Sequence, residues 1–142
     1  MAGIPSIVEK TISTEAAGRC VAAALEAAGA MGVPVSVAVL DASGQLKAFA
    51  RMDGSPLLSI STSQRKAYTA AAIGRPTKAL YDAFSSDPAL LGLIGGLPGL
   101  AVIPGGVTIR DGETVIGAVG VSGATGEQDT TIAESAAAKV GA

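Results

Sequence analysis

Residues 110–138 read RDGETVIGAVGVSGATGEQDTTIAESAAA, in the order turn, strand, glycine-rich break and helix. Asp111-Gly112 has the chemistry of a tight hairpin turn, because both residues tolerate the positive φ such turns need. Thr114 to Ser122 follows as a strand, with Val115, Val119 and Val121 on one face and Ile116 and Ala118 on the other. Neither face is polar, so an interior strand covered on both sides is expected. Ser122-Gly123-Ala124 breaks the strand. Thr125 and Gln128 then have capping-box spacing, in which the Thr oxygen accepts the N3 amide and the Gln side chain reaches back. The helix beyond carries Ile132, Ala133, Ala136 and Val140 as its apolar stripe, and Asp129 is in register with that stripe. One carboxylate is therefore expected on the inward side of a helix's first turn, beside a glycine loop.

The helix predicted before this unit runs from a Ser13 or Thr14 cap to about Ala30. Ala16, Cys20, Ala23, Ala27 and Met31 lie on one side, and Gly32 and Pro34 end it. Val35–Leu40 and Gln45–Met52 form a hairpin about Asp41-Ala42-Ser43-Gly44. Ser55 is the expected cap of a second long helix ending near Ile73, with Pro56 in its first turn. Pro76 opens a short helix to about Phe84. Asp87-Pro88 opens another turn or two through Leu91, and residues 92–98 read as an apolar glycine-rich loop. Leu100–Ile103 reads as a short strand, interrupted by Pro104-Gly105-Gly106 and resumed over Val107–Arg110. This order suits the α+β class, an antiparallel sheet with helices packed on it. The 142 residues form one expected domain, with 1–12 as a lead-in.

Composition narrows the function. The chain is 49% hydrophobic but only 3% aromatic and 15% charged, so alanine and glycine fill the interior and close backbone packing must supply the buried area. So much smooth apolar surface implies cover by other subunits, a homo-oligomer. A net charge of −2 with no basic patch excludes a nucleic-acid binder. No apolar run reaches membrane-spanning length. A single cysteine, Cys20, forbids an internal disulfide and fits a reducing compartment; the cytoplasm is expected. Histidine is absent altogether, which removes the commonest general base, haem ligand and transition-metal ligand, so no metal site is expected.

The residues that can carry chemistry are few. Asp129 is either a dipole-stabilising acid or a functional carboxylate. Arg51 at a strand end and Lys66 among small residues can hold a carboxylate, the Arg by a bidentate fork, or can be solvated surface charges, as can Asp53 and Arg65. Gly105-Gly106 either exposes backbone to a ligand or makes a bulge. Gly117, Gly120, Gly123 and Gly126 permit close helix or subunit approach, and amides near residues 123–127 can hold an anion. Thr69 and Tyr68 can donate into a pocket or simply pack. Cys20 reads as a core thiol.

Four segments together, VPVSVAVLDASGQLKAFARMDGS (33–55), QRKAYTAAAIGRPT (64–77), IPGGVTI (103–109) and DGETVIGAVGVSGATGEQDTTIAESA (111–136), resemble the GlcG/HbpS-type family, which includes the C-terminal domain of PduO. The resemblance implies a profilin-like α/β/α sandwich about an antiparallel sheet of some five strands, and a homo-oligomer. It also implies haem or corrinoid binding and redox sensing. Because histidine is missing, only Cys20 and Thr108 remain as haem contacts, and both are weaker ligands than imidazole. The expected function is binding of a small ligand, haem-like or a small organic acid, possessed by a protein accessory to catabolism. The ligand would meet Arg51, Lys66, Thr69, Gly105, Gly106, Thr108 and Asp129. The alternative is a histidine-free isomerase or hydrolase acting on a small carboxylic acid, with Asp129 as general base and Lys66 stabilising negative charge.

Overall fold

The computed structural model describes residues 3–140. Nine elements follow in order: α1 (Thr14–Met31), β1 (Ser36–Asp41), β2 (Leu46–Arg51), α2 (Ser59–Ile73), α3 (Thr77–Phe84), α4 (Pro88–Gly95), β3 (Gly106–Asp111), β4 (Thr114–Ser122) and α5 (Gly126–Val140). The strands form one antiparallel sheet in the order β2-β1-β4-β3. β4 is thus the interior strand its two apolar faces predict.

The sheet has four strands where about five were expected. The segment 100–103 does not join it. Its Ala101 N–H donates instead to the buried Thr69 hydroxyl at 2.8 Å, so a side chain of α2 takes the place of a neighbouring strand. Two helix limits also differ. Ser55 does not cap α2: its hydroxyl donates to Met52 O at 2.9 Å, residues 56–58 make a turn, and the helix starts at Ser59. α4 continues to Gly95 through the expected loop, with Asp87 capping its start through the Leu90 amide at 3.1 Å.

Helices cover both faces of the sheet. On one side α1 and α5 pack over Val35, Val37, Val39, Val107, Ile109, Val119 and Val121. The buried residues of α1 are Ala17, Cys20, Val21, Ala23, Ala24 and Ala28; Cys20 and Ala23 are inward as expected, but Ala16 and Ala27 are half-buried and Met31 is exposed, so the stripe is centred about one residue away from the expected one. A helix made of alanine on several sides has no unique apolar phase, and the two bulkiest inward residues, Cys20 and Val21, set it here. Gly32 closes the helix at φ 69°.

On the other side α2 lies against Ala38, Leu40 and Ala118 through Ala67 and Ala70. The approach is backbone to backbone. Gly106 and Gly120 are register partners in adjacent strands. A Cβ on Gly120 would collide with Ser63 O, and one on Gly106 with Lys66 O. Two adjacent glycines therefore let one turn of α2 rest directly on the sheet, which delivers Lys66 to the sheet's end.

Candidate functional site

At that end β4 stops at Ser122 and α5 begins at Gly126. The predicted capping box forms: Gln128 N donates to Thr125 Oγ1 at 3.2 Å and Thr125 N to Gln128 Oε1 at 3.1 Å. It fixes the first turn of α5 and turns Asp129 inward, leaving it 2% exposed. Lys66 arrives from α2, equally buried. Its Nζ donates to Asp129 Oδ2 at 3.0 Å and to Val121 O at 2.9 Å. The other carboxylate oxygen, Oδ1, accepts from Ala124 N at 3.0 Å. Two elements far apart in sequence are thereby joined through a buried ion pair whose charges are hydrogen-bonded, the condition under which such a pair is tolerated.

Gly105 and Gly106 make room for Lys66. Gly105 has φ 131°, and a Cβ there would lie 2.8 Å from Lys66 Nζ and 2.6 Å from Val121 O. Thr77, fully buried at the start of α3, holds the pair of glycines by accepting from Gly106 N at 2.9 Å.

The ion pair lies on the wall of a cleft of about 410 Å³. Pro56, Leu58, Ile103, Pro104 and Ala124 give it apolar sides, and Ser59, Thr62 and Ser122 bring hydroxyls. Of the expected site residues, Lys66 and Asp129 meet here. Arg51 does not join them: it is exposed at the end of the edge strand β2, opposite Ser36, which in turn pairs with Ser122. Thr69 faces the 100–103 segment, donating to Arg65 O at 2.7 Å while accepting from Ala101. Thr108 is half-buried on β3 opposite Ala118, away from the cleft lining. Cys20 lies on the inward side of α1, across the sheet from the cleft, and burial pushes its thiol up to about 12. Sequence reasoning missed Ser122, Ser59 and Thr62. The break after a strand marked Ser122, but three common hydroxyls carried no spacing that would have separated them from surface serines.

This geometry can be set beside known proteins. The family described as haem degrading protein HbpS-like matches residues 12–138. The chain belongs to the HbpS-like family. That is the family its four sequence segments resemble. A Citrobacter freundii protein, described as an uncharacterized 15.0 kDa protein in the dhaT-dhaS intergenic region, is 38% identical over 125 residues, covering 87% of this chain and 88% of the relative. The crystal structure of Klebsiella pneumoniae ORFY superposes with a TM-score of 0.91 at 31% identity, covering 100% of this chain and 99% of that one. A PduOC:heme complex superposes at 0.83 with 34% identity, over 90% of this chain and 94% of that one. These HbpS-like structures share the α+β arrangement seen here. No helix among the described residues is long and apolar enough to cross a membrane.

The HbpS-like description and the heme complex raise haem as a ligand, so the cleft's donors matter. None of the residues lining it is His, Cys, Met or Tyr. Its Lys66 amine is held as an ion pair, and its other side-chain oxygens are hydroxyls and the Asp129 carboxylate. This set does not fit an iron-ligated haem.

Proposed function

We propose that this chain is a small-ligand binding protein of the HbpS/GlcG type, with its site in the cleft between the start of α5 and the start of α2. A small organic acid suits it better than haem. The observation that carries the reading is the Lys66–Asp129 pair, 3% and 2% exposed, which the fold assembles from two distant elements on the wall of a cleft with apolar sides and a few hydroxyls. Clefts of several hundred Å³ with apolar walls and a few convergent polar groups are the usual form of small-molecule sites.

Hemin titration tests the haem part. The expected result is a Soret band unchanged from free hemin at micromolar protein. A saturable, shifted band would show that haem binds through residues outside this donor set.

A second reading is favoured by the same pair's contact with the cleft: an isomerase or hydrolase for a small carboxylic acid. Asp129 would take a proton through a lone pair not engaged by Lys66 or Ala124, and Lys66 would stabilise developing negative charge. A substrate screen followed by Asp129→Asn separates the two readings. Turnover found in the screen and lost from a folded variant supports the enzyme with Asp129 as its base; turnover that persists in the variant removes that assignment of Asp129.

A further inference from the structure

Three hydroxyls line the cleft, and two of them are engaged. Ser59 Oγ donates to Pro56 O and lies 2.8 Å from Ser36 Oγ, while Thr62 Oγ1 donates to Leu58 O at 2.9 Å. Ser122 is different. It is 8% exposed, lines the cleft, and its hydroxyl has no hydrogen-bond partner among the described residues. No fully enclosed side-chain polar atom among the described residues lacks a partner, so the Ser122 oxygen is not sealed in, and strand alternation puts it with Ala118 and Gly120 on the α2 side, where Ser122, Ser59 and Lys66 line the cleft. A buried strand end thus keeps one donor uncommitted.

Two further donors surround the same space. Gly126, the first residue of α5, also lines the cleft, and its backbone N–H has no acceptor among the described residues, as expected in a helix's first turn. Lys66 Nζ spends two of its three N–H bonds on Val121 O and Asp129.

We propose that Ser122 Oγ, Gly126 N–H and the third N–H of Lys66 form a seat for a single carboxylate, and that the ligand is a monocarboxylic acid with an apolar body lying against Leu58, Ile103 and Pro104. The proposal rests on the cleft being the ligand site. Charge sets the ligand's valence. Lys66 is the only cation among the residues lining the cleft, and Asp129 already balances it. A monoanion is met by three donors and the positive end of α5. A phosphate dianion would bring a second negative charge up to Asp129 with no cation left to receive it.

The probe is benzoate, compared with benzamide and phenyl phosphate in titrations of isotope-labelled protein followed by amide shifts. Benzoate is expected to move the Ser122 and Gly126 amides saturably and to bind at least tenfold more tightly than the other two. Ser122→Ala, whose folding is checked by its melting curve, is expected to weaken benzoate at least fivefold and leave benzamide unchanged. If benzamide or phenyl phosphate matches benzoate at the cleft residues, the carboxylate seat is wrong although the cleft still binds ligands. The same holds if folded Ser122→Ala binds benzoate like the parent. If none of the three moves any cleft residue, the binding site itself is lost, and this proposal with it.

Discussion

Lys66 and Asp129 show how much one residue pair can organise. Each is a charge removed from water, stable only because the other is there and because Val121 O and Ala124 N complete the set. Asp129→Asn leaves an ammonium buried without its counter-charge, so urea unfolding should show a loss of about 3–5 kcal/mol. Lys66→Met should cost a similar amount for the converse reason. The double variant Lys66→Met with Asp129→Asn should lose less than the sum of the two; strict additivity would mean the pair is not coupled. Cys20 gives a prediction of a different kind. Its thiol is raised from 9.0 to about 12 by burial alone. Below pH 9 the thiol is protonated folded or unfolded and contributes no pH dependence. Between pH 9 and about 12 the unfolded chain releases the proton and the folded one keeps it, so stability falls as pH rises, by roughly 1.4 kcal/mol per unit. Cys20→Ala should remove that alkaline slope, seen in melting curves taken across the range.

At the level of elements, legibility followed the specificity of the local signal. β4 and α5 announced themselves through a turn dipeptide, two apolar faces and a capping box; strand, helix and capping box form as expected, but the turn falls one residue later, on Gly112-Glu113 with Asp111 still paired to Thr114, and Ile116 packs with Val119 and Val121 rather than with Ala118. The inward register of Asp129 came from the same pattern. α1 was legible as a helix but only partly in phase, with Cys20 and Ala23 inward as expected and Met31 not, because alanine does not distinguish one side from another. The segment 100–103 misled because four apolar residues look like a strand wherever they occur; what decides is whether a neighbour offers a ladder, and here Thr69 answers Ala101 first. Thr69→Val keeps the volume and removes the acceptor, leaving the Ala101 N–H without a partner. It should cost about 1–3 kcal/mol and loosen that segment selectively, visible as faster amide exchange over residues 100–104. The contact of α2 with the sheet was not legible at all. Gly106 and Gly120 are 14 positions apart, and only strand pairing makes them one platform. Gly120→Ala would drive a methyl into Ser63 O, a backbone atom that cannot rotate away, and should cost about 1–3 kcal/mol or more while displacing Lys66 from Asp129.

For the whole molecule the surface raises a question that the interior does not. The core is made of small residues, yet several large apolar ones lie outside it: Ile4 is 90% exposed, Ile7 82% and Val8 100%. They belong to a segment, residues 3–11, with no helix or strand, tethered where Ile12 N donates to Ile116 O at 2.9 Å. Leu57 and Leu58, 78% and 74% exposed, stand by the cleft, and Leu58 lines it. A chain short of large hydrophobic residues that spends several on open surface has a reason to self-associate. Stable interfaces bury about 800 Å² per partner, more than one isolated side chain can offer, so the arm and the leucines together are the expected contact. Sedimentation at micromolar protein should give a species larger than the 13.8 kDa monomer. Removing residues 1–8 should shift it toward the monomer without lowering helix content, because the tether at Ile12 and the α1 cap at Ser13 remain. A parent protein that sediments as the monomer would overturn this. A shortened chain that assembles as before would move the contact from the arm to the leucines beside the cleft, and Leu57→Ser with Leu58→Ser would then be expected to dissociate it.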